Sequence, residues 1–503
     1  MQSGKLSIDP AFVVAPVNRR VFGSFVEHMG RCVYGGLYEP GHPTADEDGL
    51  RGDVLDLVRE MGVTAVRYPG GNFVSGYRWE DGVGPVEDRP TRLDPAWKTV
   101  ETNAFGLNEF MRWARKAEIE PVMAVNLGTR GIAEAIELLE YANHPQGTAL
   151  SDLRVAHGAP EPHAIRTWCL GNEMDGPWQL GHKTAEEYGR LAAETARAMR
   201  QLEPDLELVA CGSSGRAIST FGAWEDTVLE HTYDLVDHIS AHAYYELDGD
   251  DQASFLASSV DMDKFIREVV ATADAVGARL KSSKKIMISF DEWNVWYNKA
   301  LTESGLPTDW TQAPRLSEDE YTLLDAVVVG SLLITLLRHS DRVAIACQAQ
   351  LVNTIAPIRS EPGGPAWRQS IFHPFALTAQ HAQGQVLDLR VDAPTLQTAK
   401  HGEVSVLDSV ATYDAQTGRL AVFVVNRDPS QAVAFATDLR AFGTATLTEA
   451  TVLAGDDVLA VNTQADPERV TPQPHTSATV DGTTLRAELP AASWSMFLLD
   501  TTP

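Results

Sequence analysis

The sequence predicts an α/β fold: a (β/α)8 barrel of the TIM type followed by a smaller all-β domain. Two observations predict it. Between about residues 20 and 380, eight short apolar runs alternate with segments whose apolar residues are spaced helically. After about Gly384 the alternation stops, and short strand-like runs separated by turn residues replace it.

The eight runs are Val21–Val26, Ala65–Tyr68, Val122–Asn126, Thr167–Leu170, Leu208–Cys211, His238–Ala241, Ile286–Phe290 and Val343–Cys347. They are rich in Val, Ile and Ala without polar alternation, as expected of parallel strands buried on both faces. Helical spacing follows in Asp53–Glu60, Asn108–Lys116, Ile132–Tyr141, Ala185–Leu202, Met262–Val276 and Glu318–Leu337. Thr184 before Ala185-Glu186-Glu187 is a capping-box start. The longest apolar stretch, Ala326 to Leu337, is shorter than the ~20 residues of a membrane span. It runs straight into Arg338 and His339, which marks a buried core helix. A doubly wound open sheet is the alternative. Eight strands without a glycine-rich dinucleotide fingerprint favour closure.

In the last part, Leu420–Asn426 and Ser495–Leu499 read as strands. Turn signals at Asp414–Gly418, Asn426–Pro429 and Asp481-Gly482 separate such runs, which points to a jelly-roll-like β-sandwich. Lys5–Ile8 is a strand able to join it. The expected units are therefore a catalytic barrel over 17–384 and a sandwich built from 1–16 plus 385–503.

The 503-residue chain has 41 basic and 69 acidic residues, a formal charge of −28. That excludes a nucleic-acid partner, which needs a basic face, and suits a neutral substrate. Cys32, Cys169, Cys211 and Cys347 are scattered with no C-x-x-C spacing, so they read as buried thiols. The N-terminus lacks the apolar core of a signal peptide. A cytoplasmic protein with no membrane partner is expected. No H-E-x-x-H motif occurs, and Gly212–Arg216 lacks the phosphate-loop pattern, so neither metal nor nucleotide cofactor is expected.

In such a barrel, function collects at the carboxyl ends of the strands. The first run leads to Glu27-His28, the second to Arg67 and Pro69-Gly70-Gly71-Asn72, and the fourth to Asn172-Glu173. The sixth leads to His242 and Tyr244, the seventh to Asp291-Glu292-Trp293, and the eighth to Gln348-Ala349-Gln350. Glu173 and Glu292 face each other across the mouth. Two carboxylates so placed are the minimal equipment for splitting a glycosidic bond. Their environments must differ, because the acid stays protonated while the nucleophile is ionised. Arg67 is a cation suited to keeping Glu292 ionised, and Tyr244 a donor to the same group. Asn172 is placed to hold a sugar hydroxyl. The glycines before Asn72 allow close backbone approach and make Asn72 a sugar contact. Trp97, Trp178 and Trp296 fit a sugar platform or loop packing equally well. His28 and His242 read as structural histidines.

These segments together resemble glycoside hydrolase family 51, best known for intracellular α-L-arabinofuranosidases. The resemblance runs through Gly23–Arg31, Arg67–Phe73, Gly171–Gln179, Asp291–Tyr297, Ala349–Asn353 and Ile355–Ile358. It implies Glu173 as acid/base and Glu292 as nucleophile in a retaining double displacement. It implies furanose contacts from Glu27, Asn72, Asn172, Tyr244 and Gln350. It also implies a homo-oligomer, commonly a hexamer. The expected substrate is an arabinose-containing oligosaccharide cut at a terminal arabinofuranose. The rival readings are a β-xylosidase or endoglucanase on the same machinery, and a non-catalytic sugar-binding barrel.

Overall fold

The structure is a computed structural model and describes residues 2–502. Eight parallel strands close into a ring in sequence order. They are β1 (Gly23–Phe25), β2 (Ala65–Tyr68), β3 (Glu120–Ala124), β4 (Thr167–Leu170), β5 (Glu207–Ala210), β6 (His238–Tyr245), β7 (Met287–Val295) and β8 (Val343–Ala349). The barrel is closed as the sequence predicts, and the open-sheet alternative falls.

Two strands differ from expectation in a way that matters. β6 and β7 continue past Ala241 and Phe290, so His242, Tyr244 and Glu292 lie within strands, not beyond them. The β6–β7 ladder pairs Ser240 with Ser289, then His242 with Glu292. One extra residue on β7 makes a bulge, and bulges re-aim side chains at barrel rims. Periodicity missed this extension because its polar residues look like a loop.

Small side chains fill part of the barrel axis: Ala65, Val122, Ala124, Cys169 and Val209 pack together. All four cysteines are buried and free. The helix Ala185–Leu202 starts as expected, with Thr184 capping Glu187 and the Glu187 carboxylate accepting from the Thr184 amide at 2.9 Å. The helix expected from Glu318 begins instead at Leu323, behind a Thr322 cap. Glu318 is diverted to accept from Arg31 at 2.6 Å and from Arg359 at 3.0 Å. Among the described residues, five α-helices went unmarked in the sequence: Ala149–Ala156, Ala223–Thr232, Gln252–Leu256, Asn298–Ser304 and Phe372–His381.

Beyond the barrel, a five-stranded and a seven-stranded sheet form the β-sandwich. Leu6, Val422, Val424, Phe435, Phe497 and Leu499 share its core. The first residues belong to it. Gln2–Ser7 pairs in parallel with Val433–Asp438, and Val13–Pro16 pairs with Gln385–Leu387. The helix Leu323–Arg338, buried from Leu323 to Leu337, lies between barrel and sandwich. Trp494 of the sandwich sits so close to Gly330 that a Cβ there would lie 2.3 Å from the indole Cδ1. Beside it, Asp408 of the sandwich accepts from Ser331 at 2.5 Å and pairs with Arg338 and Arg427. Among the described residues, no helix is long and apolar enough to cross a membrane.

Candidate active site

The two glutamates meet. A carboxylate oxygen of Glu173, one of Glu292 and an imidazole nitrogen of His242 all lie within 4.8 Å of one another. Glu173 follows β4 after a left-handed Gly171 and itself adopts a φ of 44°. That conformation is uncommon for a non-glycine residue and concentrates at functional sites. Both carboxyl groups are nearly fully buried.

Their surroundings differ sharply. Glu292 Oε1 accepts from Arg67 Nη1 at 2.8 Å, and its Oε2 accepts from the Tyr244 hydroxyl at 2.7 Å. Glu173 is held by neither Arg67 nor Tyr244. Its Oε2 accepts from the Trp178 indole at 2.8 Å, and its Oε1 lies 2.9 Å from His242 Nδ1. Burial raises the Glu173 carboxyl above the ordinary range, against the hydrogen bond from His242, and the Glu292 charge adds to the rise. A carboxyl raised by burial beside one clamped by a guanidinium and a phenol is the arrangement of an acid and a nucleophile.

Buried ions behind them balance the charge. Arg67 Nε lies 3.7 Å from Asp291 Oδ2, with both side chains buried. Burial opposes the Arg67 charge, but Asp291 and Glu292 hold it firmly protonated. Burial likewise opposes the charge on Asp291, and Arg67 and His242 outweigh it, so Asp291 stays ionised. His242 Nε2 lies 2.9 Å from Asp291 Oδ1. Burial works against its charge too, yet the neighbouring carboxylates push the imidazole up to about 10. Arg67 and His242 as cations thus match Asp291 and Glu292 as anions, which leaves Glu173 free to carry a proton. His242 is therefore part of the site, and its reading as a structural histidine is corrected. His28 is the structural one: it binds Glu101 at 2.9 Å and the Tyr68 hydroxyl at 3.0 Å.

Glu27 follows β1 and is buried against the Pro69–Gly71 turn. Its carboxyl accepts from the Phe73 amide and the Trp97 indole, each at 2.9 Å, and from Gln350 at 3.2 Å. Burial pushes Glu27 up to about 8, with Glu292 adding to the rise. A Cβ on Gly71 would sit 3.2 Å from Glu27 Oε1 and 3.3 Å from Glu292 Oε1, so the bare backbone threads between the two. Asn172 accepts from Arg67 Nη2 at 2.7 Å. The buried Gln350 keeps its Oε1 without a partner, aimed beside Glu27. Asn72 is half-buried at the start of a short turn and makes no side-chain hydrogen bond among the described residues. Trp296 packs edge-on to Tyr244, ring centres 5.0 Å apart.

Arg67, Asn172, Tyr244, Glu173 and Glu292 are thus tied by hydrogen bonds and ion pairs into one network around the two carboxyls, while Glu27 and Gln350 form a neighbouring hydrogen-bonded group with Trp97. Trp296 touches that network through Tyr244, and Asn72 stands at its edge. Sequence reasoning placed Asp291 and His242 at the mouth without a catalytic role for either, and left Trp97 open between sugar platform and loop packing. A carboxylate inside an apolar strand was the available signal for Asp291, since such a residue is almost never buried without a partner.

Two family models match the chain: "Alpha-L-arabinofuranosidase 1 domain" over residues 57–254 and "Alpha-L-arabinofuranosidase C-terminal domain" over residues 291–493. An intracellular exo-α-(1→5)-L-arabinofuranosidase of Streptomyces lividans is 62% identical over 98% of this chain and 75% of its own length. An exo-α-(1→6)-L-arabinofuranosidase of Bifidobacterium longum is 55% identical over 98% of this chain and 97% of its own. The solved structure of AbfB, a family 51 α-L-arabinofuranosidase from Bifidobacterium longum, superimposes with a TM-score of 0.95 at 49% identity, covering 99% of both chains. With the barrel, the paired carboxyls and these relatives together, the chain belongs to the α-L-arabinofuranosidases of glycoside hydrolase family 51.

Proposed function

We propose that this protein is an intracellular, retaining exo-α-L-arabinofuranosidase that removes terminal non-reducing arabinofuranosyl residues from arabinan- and arabinoxylan-derived oligosaccharides. The observation that carries the reading is the pair of buried carboxyls within 4.8 Å, one clamped by Arg67 and Tyr244 and the other not. Retaining glycosidases hold their carboxyl groups about 5–5.5 Å apart, too close for a water to slip between.

In the first step the Glu292 carboxylate attacks the anomeric carbon. The glycosidic C–O bond breaks, its electron pair leaves with the aglycone oxygen, and Glu173 protonates that oxygen. The product is an ester between Glu292 and arabinose. In the second step Glu173, now a carboxylate, takes a proton from water. The water oxygen bonds to the anomeric carbon, and the ester bond breaks to restore Glu292. Glu27, Asn72, Asn172, Tyr244 and Gln350 hold the furanose hydroxyls. Trp296 shapes the wall behind Tyr244. Burial and the nearby Glu292 charge raise the Glu27 carboxyl, which favours its acting as a donor to the sugar.

The barrel over 17–384 carries the chemistry, and the sandwich of 1–16 plus 385–503 braces it. A homo-oligomer, read as a hexamer, belongs to the same proposal. Its mass in multiples of 54.8 kDa is measurable by light scattering. The relatives act on (1→5) and (1→6) linkages, so the preferred linkage here is open to assay. The deciding experiment is hydrolysis of p-nitrophenyl α-L-arabinofuranoside against the β-xyloside and cellulose, with the anomer released followed by NMR. Release of α-arabinofuranose first is expected. Preference for xyloside or cellulose, or initial release of the inverted anomer, overturns the reading.

A further inference from the structure

The loop after β4 carries both Glu173 and its indole donor, and a second buried carboxylate holds that loop in place. Asp175 lies between Glu173 and Trp178, in a turn closed by the Gly176 amide, which donates to the Glu173 carbonyl at 2.9 Å. Its side chain is buried, and among the described residues no cation pairs with it. Such burial is costly unless hydrogen-bond donors surround the group. Four donors do. The Ser214 amide donates to Oδ1 at 2.9 Å, and the Ser214 hydroxyl donates to the same oxygen. The hydroxyls of Ser213 and Thr220 donate to Oδ2 at 2.6 and 2.5 Å. All four belong to the segment after β5. The run Gly212–Arg216, which lacks the phosphate-loop pattern, thus receives a carboxylate of its own chain.

The far end of this anchor is fixed as well. The Ser213 amide donates to Glu225 Oε1 at 2.8 Å, and Glu225 Oε2 accepts from the Gly222 amide at 2.7 Å at the start of the helix Ala223–Thr232. The helix therefore fixes Ser213, and Ser213 helps to fix Asp175. On the loop itself, a Cβ on Gly176 would lie 2.6 Å from Trp178 Cε2, so the bare backbone lets the indole fold back toward Glu173. Trp178 is 51% exposed and owes its place to the turn more than to packing. Glu173 has a φ of 44°, and such backbone persists only where its surroundings hold it. The nucleophile is held from elsewhere: Glu292 lies within β7, and its clamps Arg67 and Tyr244 come from β2 and β6.

We propose that Asp175 is a positioning residue for the acid/base: its anchor to the segment after β5 aims Glu173 at the departing oxygen and leaves the nucleophile untouched. The proposal rests on the glycosidase reading above. Asp175→Asn turns one acceptor oxygen into a donor facing other donors, so the turn should shift. A misplacement of about 1 Å can cost about 10²-fold in rate. Arabinobiose, whose departing sugar needs a proton, should lose about 10–100-fold in kcat/KM. p-Nitrophenyl α-L-arabinofuranoside, whose phenolate leaves unaided, should stay within about threefold of the wild type. Across a series of aryl arabinofuranosides, log kcat/KM should fall more steeply with leaving-group pKa in the variant. A merely structural role would lower both substrates together and leave that slope alone. Equal loss on the two substrates, or no loss on the disaccharide, overturns the proposal. Thr220→Val deletes one donor at a half-buried position and decides by the same comparison if Asp175→Asn does not fold. A wild type inactive on both substrates would instead overturn the glycosidase reading, so the two failures are distinguishable.

Discussion

His242 Nδ1 lies 2.9 Å from Glu173 Oε1 while its Nε2 lies 2.9 Å from Asp291 Oδ1. One imidazole thus couples the group that must exchange a proton to a carboxylate that must not. Asp291 holds the ring in place and keeps it charged. The acid is steadied by a fixed cation that gives up no proton of its own.

Replacing Glu173 by Ala removes the acid and the later base. Hydrolysis of oligosaccharides should fall by about 10²–10⁴-fold, the usual worth of general acid–base catalysis. Aryl arabinosides with a good leaving group should retain their first step and show a burst of phenol. Equal losses on both substrate types would remove Glu173 from this role.

Glu292→Gly should leave almost no turnover, with the fold intact by circular dichroism. Azide entering the vacated space should restore turnover and yield an arabinosyl azide of inverted configuration. Absence of that product would count against Glu292 as nucleophile.

Trp178→Phe deletes the indole donor to Glu173 Oε2. That bond favours the carboxylate, so its loss raises the Glu173 pKa further. Catalysis needs Glu173 protonated, and its alkaline limb marks the loss of that proton. The limb of the kcat/KM profile should therefore move to higher pH in the variant. A limb that stays put or moves down would show that the indole does not tune the acid.

Glu27 has its acid raised to about 8 by burial, above the unfolded carboxylate range. A raised acid contributes stability below the unfolded value and loses it as pH climbs through the folded one. Between about pH 5 and 8, Glu27 should therefore erode the stability of the wild type. Glu27→Gln removes that contribution, so its denaturation midpoint should vary less over the window. Identical slopes in urea titrations would refute the assignment.

Arg67→Met strands Asp291 and Glu292 as buried charges. Removing one partner of such a set costs about 3–5 kcal/mol. Thermal unfolding should show it as a lowered midpoint together with lost activity. An unchanged midpoint would mean that the carboxyls relax by taking protons.

Much of this arrangement is legible from residue order because parallel strands buried on both faces leave unmistakable apolar runs. Their carboxyl ends then point to Glu27, Arg67, Asn172, Glu173 and Gln350. The extensions of β6 and β7 are not legible, since a strand that lines a polar mouth abandons the apolar signal that marks strands. The roles of His242 and Asp291 are not legible either, because their partners come from other strands and only ring closure brings those partners within reach. The late start of the helix at Leu323 has a similar origin. Glu318 suits a helix locally, but Arg31 and Arg359 claim it from distant segments.

The opening strand Gln2–Ser7 finds its parallel neighbour only at Val433–Asp438. Its other edge pairs with Arg390–Asp392, so during synthesis neither neighbour is made until more than three-quarters of the chain has emerged. The barrel is meanwhile complete but carries the apolar helix Leu323–Arg338 uncovered on one side. A ribosome that stops within the last strands would therefore release a polypeptide with a finished catalytic ring and a bare hydrophobic flank. Such a product is prey for chaperones and proteases, so the sandwich acts as a seal over that flank.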